Sequence, residues 1–173
     1  MGQYHRIYNL DKKEYINPHH LGSGVKAWEQ LASGMTGKAM IVLMVCPQRR
    51  GGGDLGENDT VGRWHGDRVV MVGDYAEDSD FKVPEGELTP SQIYGNADFK
   101  DITPEVCAVI EEELGGRFVG SGWRNFVQLG DIVSRHSVTG NRLSGTITKL
   151  VPLTVKWPTG EQVFLDKNNV DFF

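Results

Sequence analysis

The feature that most limits the fold of this chain is an uninterrupted apolar run, Val69 to Val72, inside the segment GRWHGDRVVMVGDY (62–75). A strand without polar interruptions is typical of a position in a sheet that is covered on both faces. We therefore interpret this run as a central strand of a packed domain. One Trp, one His, two Arg and two Asp crowd the two ends of the strand, where binding and catalytic residues usually lie.

Length and hydropathy indicate an ordinary globular protein. The chain has 173 residues, of which 39% are hydrophobic and 24% charged, and this suits one domain or one domain with a small appended module. The longest apolar stretch, AMIVLMVC (39–46), is much shorter than the roughly 20 residues of a membrane helix. The first residues contain no basic segment followed by an apolar one, so we expect no secretory signal, no membrane association and a soluble, intracellular protein.

The two cysteines and the charge distribution add weaker constraints. Cys46 and Cys107 lie in apolar surroundings, which predicts two buried free thiols, with a disulfide as the alternative. The net charge of −5 divides unevenly, because residues 1–120 hold 12 Lys and Arg against 19 Asp and Glu, whereas residues 121–173 hold 6 against 4. Any contact with nucleic acid is therefore expected in the C-terminal part.

The N-terminal part alternates between strand and helix patterns. Residues 3–16 predict a β-hairpin. The next apolar pattern predicts a helix over VKAWEQLA (25–32), capped by Ser23, with Val25, Trp28 and Leu31 as its buried stripe. GKAMIVLMVC (37–46) predicts a second helix capped by Thr36, although a buried strand also fits, and residues 47–60 have the composition of a mobile loop.

A third helix has clear start and stop signals. Thr103 is placed to cap it, Pro104 suits its first turn, Glu105 complements its positive end and Gly115 follows its last residue. From about residue 117 the chain becomes a series of short β runs separated by Gly, Asn and Pro. Strands are predicted within these runs: DIVSRH (131–136), SGTITKL (144–150), TVKW (154–157) and QVFLD (162–166).

These patterns predict an α+β fold with two parts. Residues 1–116 form a mixed α/β domain. Residues 117–173 look like an SH3-like small β-barrel, on the segments LGDIV, LSGTITKL and TVKWPTGEQVFL. Such barrels bind proteins, peptides and nucleic acids alike, so the resemblance implies a fold and leaves the function open.

The first 80 residues or so resemble an uncharacterised family of proteins found in bacteriophages and bacterial genomes. The matching segments are MGQY, NLDKKEYINPHHLGSGVKAWE, GGGDLGE and GRWHGDRVVMVGDY. The resemblance implies a phage or mobile-element origin, with a location in the host cytoplasm or the virion. It supplies no activity and no site residues.

Known catalytic and ligand-binding patterns are incomplete in this sequence. ASGMTGKA (32–39) lacks the Ser or Thr after the Lys of a phosphate-binding loop and follows a helix pattern where a strand is required. The histidines lack the paired spacing of a zinc site, the acidic residues 74–80 lack the register of a calcium loop, and both cysteines lie in apolar runs that disfavour a reactive thiol. We therefore predict no catalytic residues, no metal and no cofactor.

The sequence thus favours a non-enzymatic binding protein that occupies a macromolecular partner, such as a host factor, an immune component or a virion protein. Trp and Arg are enriched among residues that dominate binding energy. The predicted contact residues are Arg63, Trp64, Arg68, Trp123 and Arg124. The alternative interpretation of the Arg68 segment is a core strand whose ends are fixed by ion pairs of Arg68 with Asp67 or Asp74.

Two other functions remain open at this point. The first is an enzyme or small-molecule sequestering protein with a polar pocket around His5, His65, Asp67 and Asp74. The second is nucleic-acid binding by the barrel. The basic residues available for it are Arg135, Arg142, Lys149 and Lys156.

Overall fold

The computed structural model describes residues 2–46 and 55–119 and, further along the chain, the segments 125–128, 132–136, 142–150, 153–156 and 162–165. The helices are α1 (Ala27–Ser33), α2 (Met35–Met44), α3 (Pro90–Ile93) and α4 (Thr103–Leu114), and a 3₁₀ turn spans Pro18–Leu21. The strands of the first sheet are β1 (His5–Asn9), β2 (Glu14–Ile16), β3 (Val69–Gly73) and β4 (Lys100–Asp101). Helices and a mixed sheet together confirm the α+β class.

The first sheet has the order β3-β1-β2-β4 and begins with the predicted hairpin. β1 and β2 pair antiparallel with Tyr8 opposite Tyr15, and the Asn9 side-chain oxygen accepts hydrogen bonds from the backbone N–H groups of Asp11 (3.0 Å) and Lys12 (2.8 Å) in the turn. β2 and β4 run parallel, so the sheet is mixed. The expected hairpin over residues 3–16 is confirmed.

The interpretation of Val69–Val72 as a central strand is wrong. In the described part of the chain β3 pairs with β1 alone and therefore lies at an edge of the sheet. Its burial agrees with that position, since Met71 is 45% exposed and Val72 is buried. An edge strand has a neighbouring strand on one side alone. An apolar run of this length therefore does not by itself place a strand in the centre of a sheet.

Two apolar clusters cover the faces of the sheet. The larger one joins Ile7 and Ile16 of the hairpin to Leu43 of α2 and Ile110 of α4. The smaller one, on the other face, surrounds Tyr8 and includes Val72, Ile93 and Phe99. The alternation of Ile7 and Tyr8 between these clusters is the period of two that a strand imposes on its side chains.

The prediction for α1 is wrong in its buried stripe. The helix begins at Ala27, Val25 precedes it, and Gln30 is the buried residue of the helix. Ser23 does not cap α1. The helix is capped at Lys26 by Glu29, whose Oε2 accepts a hydrogen bond from Lys26 N–H at 3.1 Å. Trp28 and Leu31, expected inside, are exposed.

Helix α2 confirms the second helix prediction, although it begins earlier, at Met35. Thr36 lies inside the helix and does not cap it, since its hydroxyl donates to Ser23 Oγ at 3.3 Å. Of the two cysteines, both free, Cys107 is buried as predicted and Cys46 is exposed, which is a correction. None of the described helices combines the length and hydropathy that crossing a bilayer requires.

Helix α4 matches its predicted limits. It ends at Leu114, and the next residue, Gly115, has a left-handed φ of +64° and donates its N–H to the Glu111 carbonyl. Thr103 is its first helical residue rather than its cap; the side chain of Asp101 accepts the Thr103 N–H at 2.9 Å.

Replacing Gly115 with alanine should lower the free energy of unfolding by about 1–2 kcal/mol, because a Cβ strains the left-handed conformation. Gly37 is the matched control. It lies within α2, and a Cβ there meets no atom within 4 Å, so alanine should raise stability by up to about 1 kcal/mol. Urea unfolding followed by circular dichroism measures both; changes of the same sign in the two variants would contradict the argument.

Beyond α4, strands β5 (Arg117–Val119) and β6 (Asn125–Val127) form a hairpin. Phe118 of this hairpin is 4% exposed and belongs to the larger cluster, and Phe126 packs against that cluster. The predicted division between residues 116 and 117 stays a prediction, and the hairpin that follows it contributes to the preceding core.

The last described strands form a second four-stranded sheet. They are β7 (Ile132–His136), β8 (Arg142–Leu150), β9 (Leu153–Lys156) and β10 (Gln162–Leu165), antiparallel in the order β10-β9-β8-β7. Each strand pairs with its neighbour in sequence, with an irregularity between Ile147 and Lys149. All four predicted strands are confirmed as strands.

Candidate functional site

The predicted contact residue Trp64 lies inside the molecule, which corrects the expectation that it is exposed. Its segment is attached to the end of α2, because Gly62 N–H donates to the Val42 carbonyl (2.7 Å) and Trp64 N–H to the Leu43 carbonyl (2.8 Å). The side chain is 0% exposed. It therefore has no surface to offer a partner.

A carboxylate from the hairpin fixes both Trp64 and its neighbour Arg63. Trp64 Nε1 donates to Glu14 Oε2 at 2.8 Å, and Arg63 Nε donates to the two Glu14 oxygens at 3.1 and 3.0 Å. Arg63 Nη2 also donates to Glu14 Oε1. We call Glu14, Arg63 and Trp64 the carboxylate cluster.

The carboxylate cluster explains how a charged group is tolerated in the core. Glu14 is 5% exposed, and burial alone raises the pKa of its carboxyl group. The hydrogen bonds from Arg63 and Trp64 act in the opposite direction and outweigh burial, so the pKa lies below its usual value of 4.5. Arg63 is thereby occupied internally, with 34% of its side chain exposed.

Arg68 precedes β3 and forms ion pairs on both sides. Its Nη2 lies 2.7 Å from Asp11 Oδ1, and its Nη1 lies 2.9 Å from Glu87 Oε2. The ion-pair interpretation of this segment is therefore right in kind, but the partners are Asp11 and Glu87 rather than Asp67 or Asp74. The Arg68 side chain remains 47% exposed. The other two predicted contact residues, Trp123 and Arg124, lie outside the described residues.

The four residues of the alternative pocket do not converge, and that prediction is wrong. His5 lies opposite Gly73 in the β1–β3 pairing, and Asp74 beyond it accepts a hydrogen bond from Tyr4 N–H at 2.9 Å. At the other end of β3, Asp67 accepts from Asn9 Nδ2 at 2.7 Å, and His65 Nδ1 lies 3.1 Å from the Met44 carbonyl.

Strand β3 separates the pair His5 and Asp74 from the pair His65 and Asp67. At roughly 3.3 Å per residue in a strand, Asp67 and Asp74 lie on the order of 20 Å apart along the chain. The described residues also contain no group of three or more His, Cys, Asp or Glu side chains arranged to hold a metal ion.

Among the described residues, the two large apolar side chains with the highest exposure lie on α1. Trp28 is 74% exposed and Leu31 is 73% exposed, and residues three apart lie on the same side of a helix. The opposite side is attached to the core, because Gln30 Nε2 donates to the carbonyl oxygens of His5 and Val25, both at 3.0 Å. We call Trp28 and Leu31 the α1 surface.

Comparisons with known proteins found no relative of this chain. Family models, curated proteins and solved structures gave no match to the chain. Any assignment of function therefore depends on the chemistry of the residues themselves.

Sequence periodicity located the apolar side of α1 correctly but assigned it to the wrong environment. Gln30 carried the available signal, since it is the polar residue between Trp28 and Leu31 and an amide can hydrogen-bond two backbone carbonyls at once. In this structure the amide is buried, and Trp28 and Leu31 beside it are exposed. Trp28, predicted to be buried, is exposed, and Trp64, predicted to be exposed, is buried.

Proposed function

We propose that this chain is a non-enzymatic binding protein of phage or mobile-element origin that acts by occupying a protein partner. The exposure of Trp28 and Leu31 side by side on α1 carries the proposal. The proposed phage or mobile-element origin rests on the resemblance of the N-terminal segments to the uncharacterised family found in bacteriophages and bacterial genomes. The partner is a host factor, an immune component or a virion protein, in the host cytoplasm or the virion.

Burial of the α1 surface would supply much of the binding energy. A Trp side chain buries roughly 150–250 Å² when it is covered, and tryptophan is among the residues most enriched at the energetic centre of interfaces. The two hydrogen bonds of Gln30 fix α1 to the carbonyl groups of His5 and Val25. The surface is thus presented on a positioned helix, which lowers the entropic cost of binding.

The residues proposed for contact differ from those that the sequence indicated. Trp28 and Leu31 replace Trp64, and Arg63 serves the carboxylate cluster. Arg68, half-exposed beside β3, remains a contact candidate, as do Trp123 and Arg124, which lie outside the described residues.

The double variant Trp28→Ala, Leu31→Ala should lose partner binding by at least about tenfold, since each truncation removes an anchor of the kind that costs over 1 kcal/mol. Ile41→Ala is the matched control, because Ile41 is 62% exposed on another helix. Tagged protein is used to identify partners in the native host by quantitative mass spectrometry. The dissociation constant of the purified partner is then measured for each variant.

Equal affinity of the double variant and the wild type would overturn the α1 proposal. A concentration-dependent dimer that the double variant abolishes, seen by light scattering, would show that α1 binds a second copy of this chain and would also contradict a separate partner.

The second sheet supports nucleic-acid binding as a second candidate function. The pairing of β7, β8 and β9 brings Arg135, Arg142, Lys149 and Lys156 into one sheet. We infer that this sheet belongs to an SH3-like barrel. Affinity for DNA or RNA that falls steeply with salt, with one counterion lost per phosphate contact, would mark this function.

A further inference from the structure

A region with ligand-binding chemistry lies beside β1 and the start of α1, and it shares no residue with the carboxylate cluster. It is a cleft of about 420 Å³ between the start of β1, the 3₁₀ turn, the segment that leads into α1, and Tyr94 after α3. Its polar and aromatic lining includes Tyr4, Arg6, Asn17, His19, Lys26 and Tyr94. We call it the Arg6 cleft.

Arg6 has no carboxylate partner among the residues that the structure describes. The other arginines with described side chains, Arg63, Arg68 and Arg117, each form an ion pair with an acidic residue. Arg6 Nε is buried and has no hydrogen-bond partner in the described structure. A buried donor on a charged group that lacks an acceptor costs stability unless a ligand supplies one.

Two tyrosine rings hold the Arg6 guanidinium in place. Its central carbon lies 5.2 Å from the centre of the Tyr15 ring and 5.1 Å from that of Tyr94. Cation–π contacts of this kind use the faces of the guanidinium group. The N–H donors lie in the guanidinium plane and form the fork that matches a carboxylate or a phosphate.

Among the residues that line the cleft, Arg6 is the charged group without an ion-pair partner. Glu29 is the acidic residue in its lining, and its oxygens already cap α1 through Lys26 N–H (3.1 Å) and pair with Lys26 Nζ (3.6 Å). Burial, and then the positive charge of Arg6, hold the pKa of His19 below its usual value of 6.5. His19 is therefore neutral at pH 7 and does not add to the repulsion.

We propose that the Arg6 cleft binds a small organic anion, with its carboxylate or phosphate ester on Arg6 and its organic body against Tyr4 and Tyr94. This site goes beyond the protein-binding function proposed above. Lys26 at the rim pairs with Glu29, so the charge available to an anion is that of Arg6. The Asn17 side chain, whose oxygen accepts from His19 N–H at 3.2 Å, keeps its NH₂ donors for the rest of the ligand.

The experiment uses three aryl probes that differ in charge: phenyl phosphate, phenylacetate and the neutral benzyl alcohol. Calorimetry measures their affinities for the full-length protein, and NMR follows the arginine Nε–Hε signals of the wild type. Phenyl phosphate or phenylacetate should bind saturably and shift the Arg6 signal. Benzyl alcohol should bind at least about tenfold more weakly, because charge-assisted bonds to Arg supply most of the affinity.

Variants separate a specific site from general charge attraction. Arg6→Gln should weaken anion binding by about tenfold or more, while Arg6→Lys should retain part of it. Lys82→Gln makes the same change in net charge at an exposed position outside the cleft and should leave binding unchanged. Circular dichroism checks that each variant is folded.

Two results would overturn the proposal. One is the absence of any saturable shift of the Arg6 signal in the wild type with either anion, a measurement that needs no variant. The other is an equal loss of affinity in Arg6→Gln and Lys82→Gln, which would assign the binding to net charge.

Discussion

Replacing Trp64 with alanine should lower the free energy of unfolding by about 3–5 kcal/mol, the range for large aromatic residues removed from cores. Trp64 is 0% exposed and belongs to the larger apolar cluster, so its loss leaves a cavity. It also removes the Nε1 donor that Glu14 Oε2 accepts at 2.8 Å. The measurement is urea unfolding at pH 7, followed by circular dichroism.

Trp28→Ala is the matched control for this experiment, since it makes the same substitution at a side chain that is 74% exposed. Surface substitutions usually change stability by within about 0.5 kcal/mol. We expect a difference of at least about 2.5 kcal/mol between the two variants. If Trp28→Ala were the more destabilising one, the burial of both tryptophans in this structure would be wrong.

The elements that could be predicted from the sequence are those that local chemistry determines. The limits of α4 follow from Pro104 in the first turn and Gly115 in the left-handed position after the last. The first hairpin follows from the alternation of its residues, and the four strands of the second sheet follow from short β runs between Gly, Asn and Pro. In each case the signal and the structure lie within a few residues of each other.

The environments of Trp28 and Trp64 could not be predicted in this way, because partners distant in sequence decide them. Trp64 is held by Glu14, 50 residues away, and α1 is oriented by Gln30, whose amide bonds the His5 carbonyl 25 residues away. Neither Glu14 nor His5 changes the hydropathy of the segment around the tryptophan that it helps to position. A sequence rule that assigns tryptophans by the hydropathy of their neighbours alone therefore does not separate the two.

The charged ends of β3 show the same limit. Ion pairing was a correct expectation for Arg68, but Asp11 and Glu87, rather than the nearer Asp67 and Asp74, are its partners. Asp67 pairs instead with Lys12 from the hairpin turn. Because the hairpin lies alongside β3, residues 55 to 57 positions away reach these charges as readily as sequence neighbours do.

Replacing Glu14 with glutamine should lower the free energy of unfolding by about 2–3 kcal/mol at pH 7. The amide keeps the shape of the side chain but replaces one of its two acceptor oxygens with an NH₂ donor, so at least one N–H of Arg63 or Trp64 loses its acceptor. A buried donor without an acceptor costs about 1–3 kcal/mol, more when charged. Arg63 remains 34% exposed, so water compensates part of the loss. The cost therefore stays below the 3–5 kcal/mol typical of a fully buried ion pair.

The pH dependence of this difference tests the role of the carboxylate directly. The pKa of Glu14 is lower in the folded protein than its usual 4.5, so the contribution is complete above the unfolded pKa and is lost as the pH falls through the folded pKa. Below that point protonated Glu14 resembles glutamine, and the two proteins should approach equal stability. Asp11, Asp67 and Glu105, whose pKa values are also lowered, are present in both proteins and cancel in the difference. Urea unfolding at pH 7 and pH 3 measures the stability difference between the two proteins. A difference that stayed constant between the two pH values would mean that the charge of Glu14 does not support the carboxylate cluster.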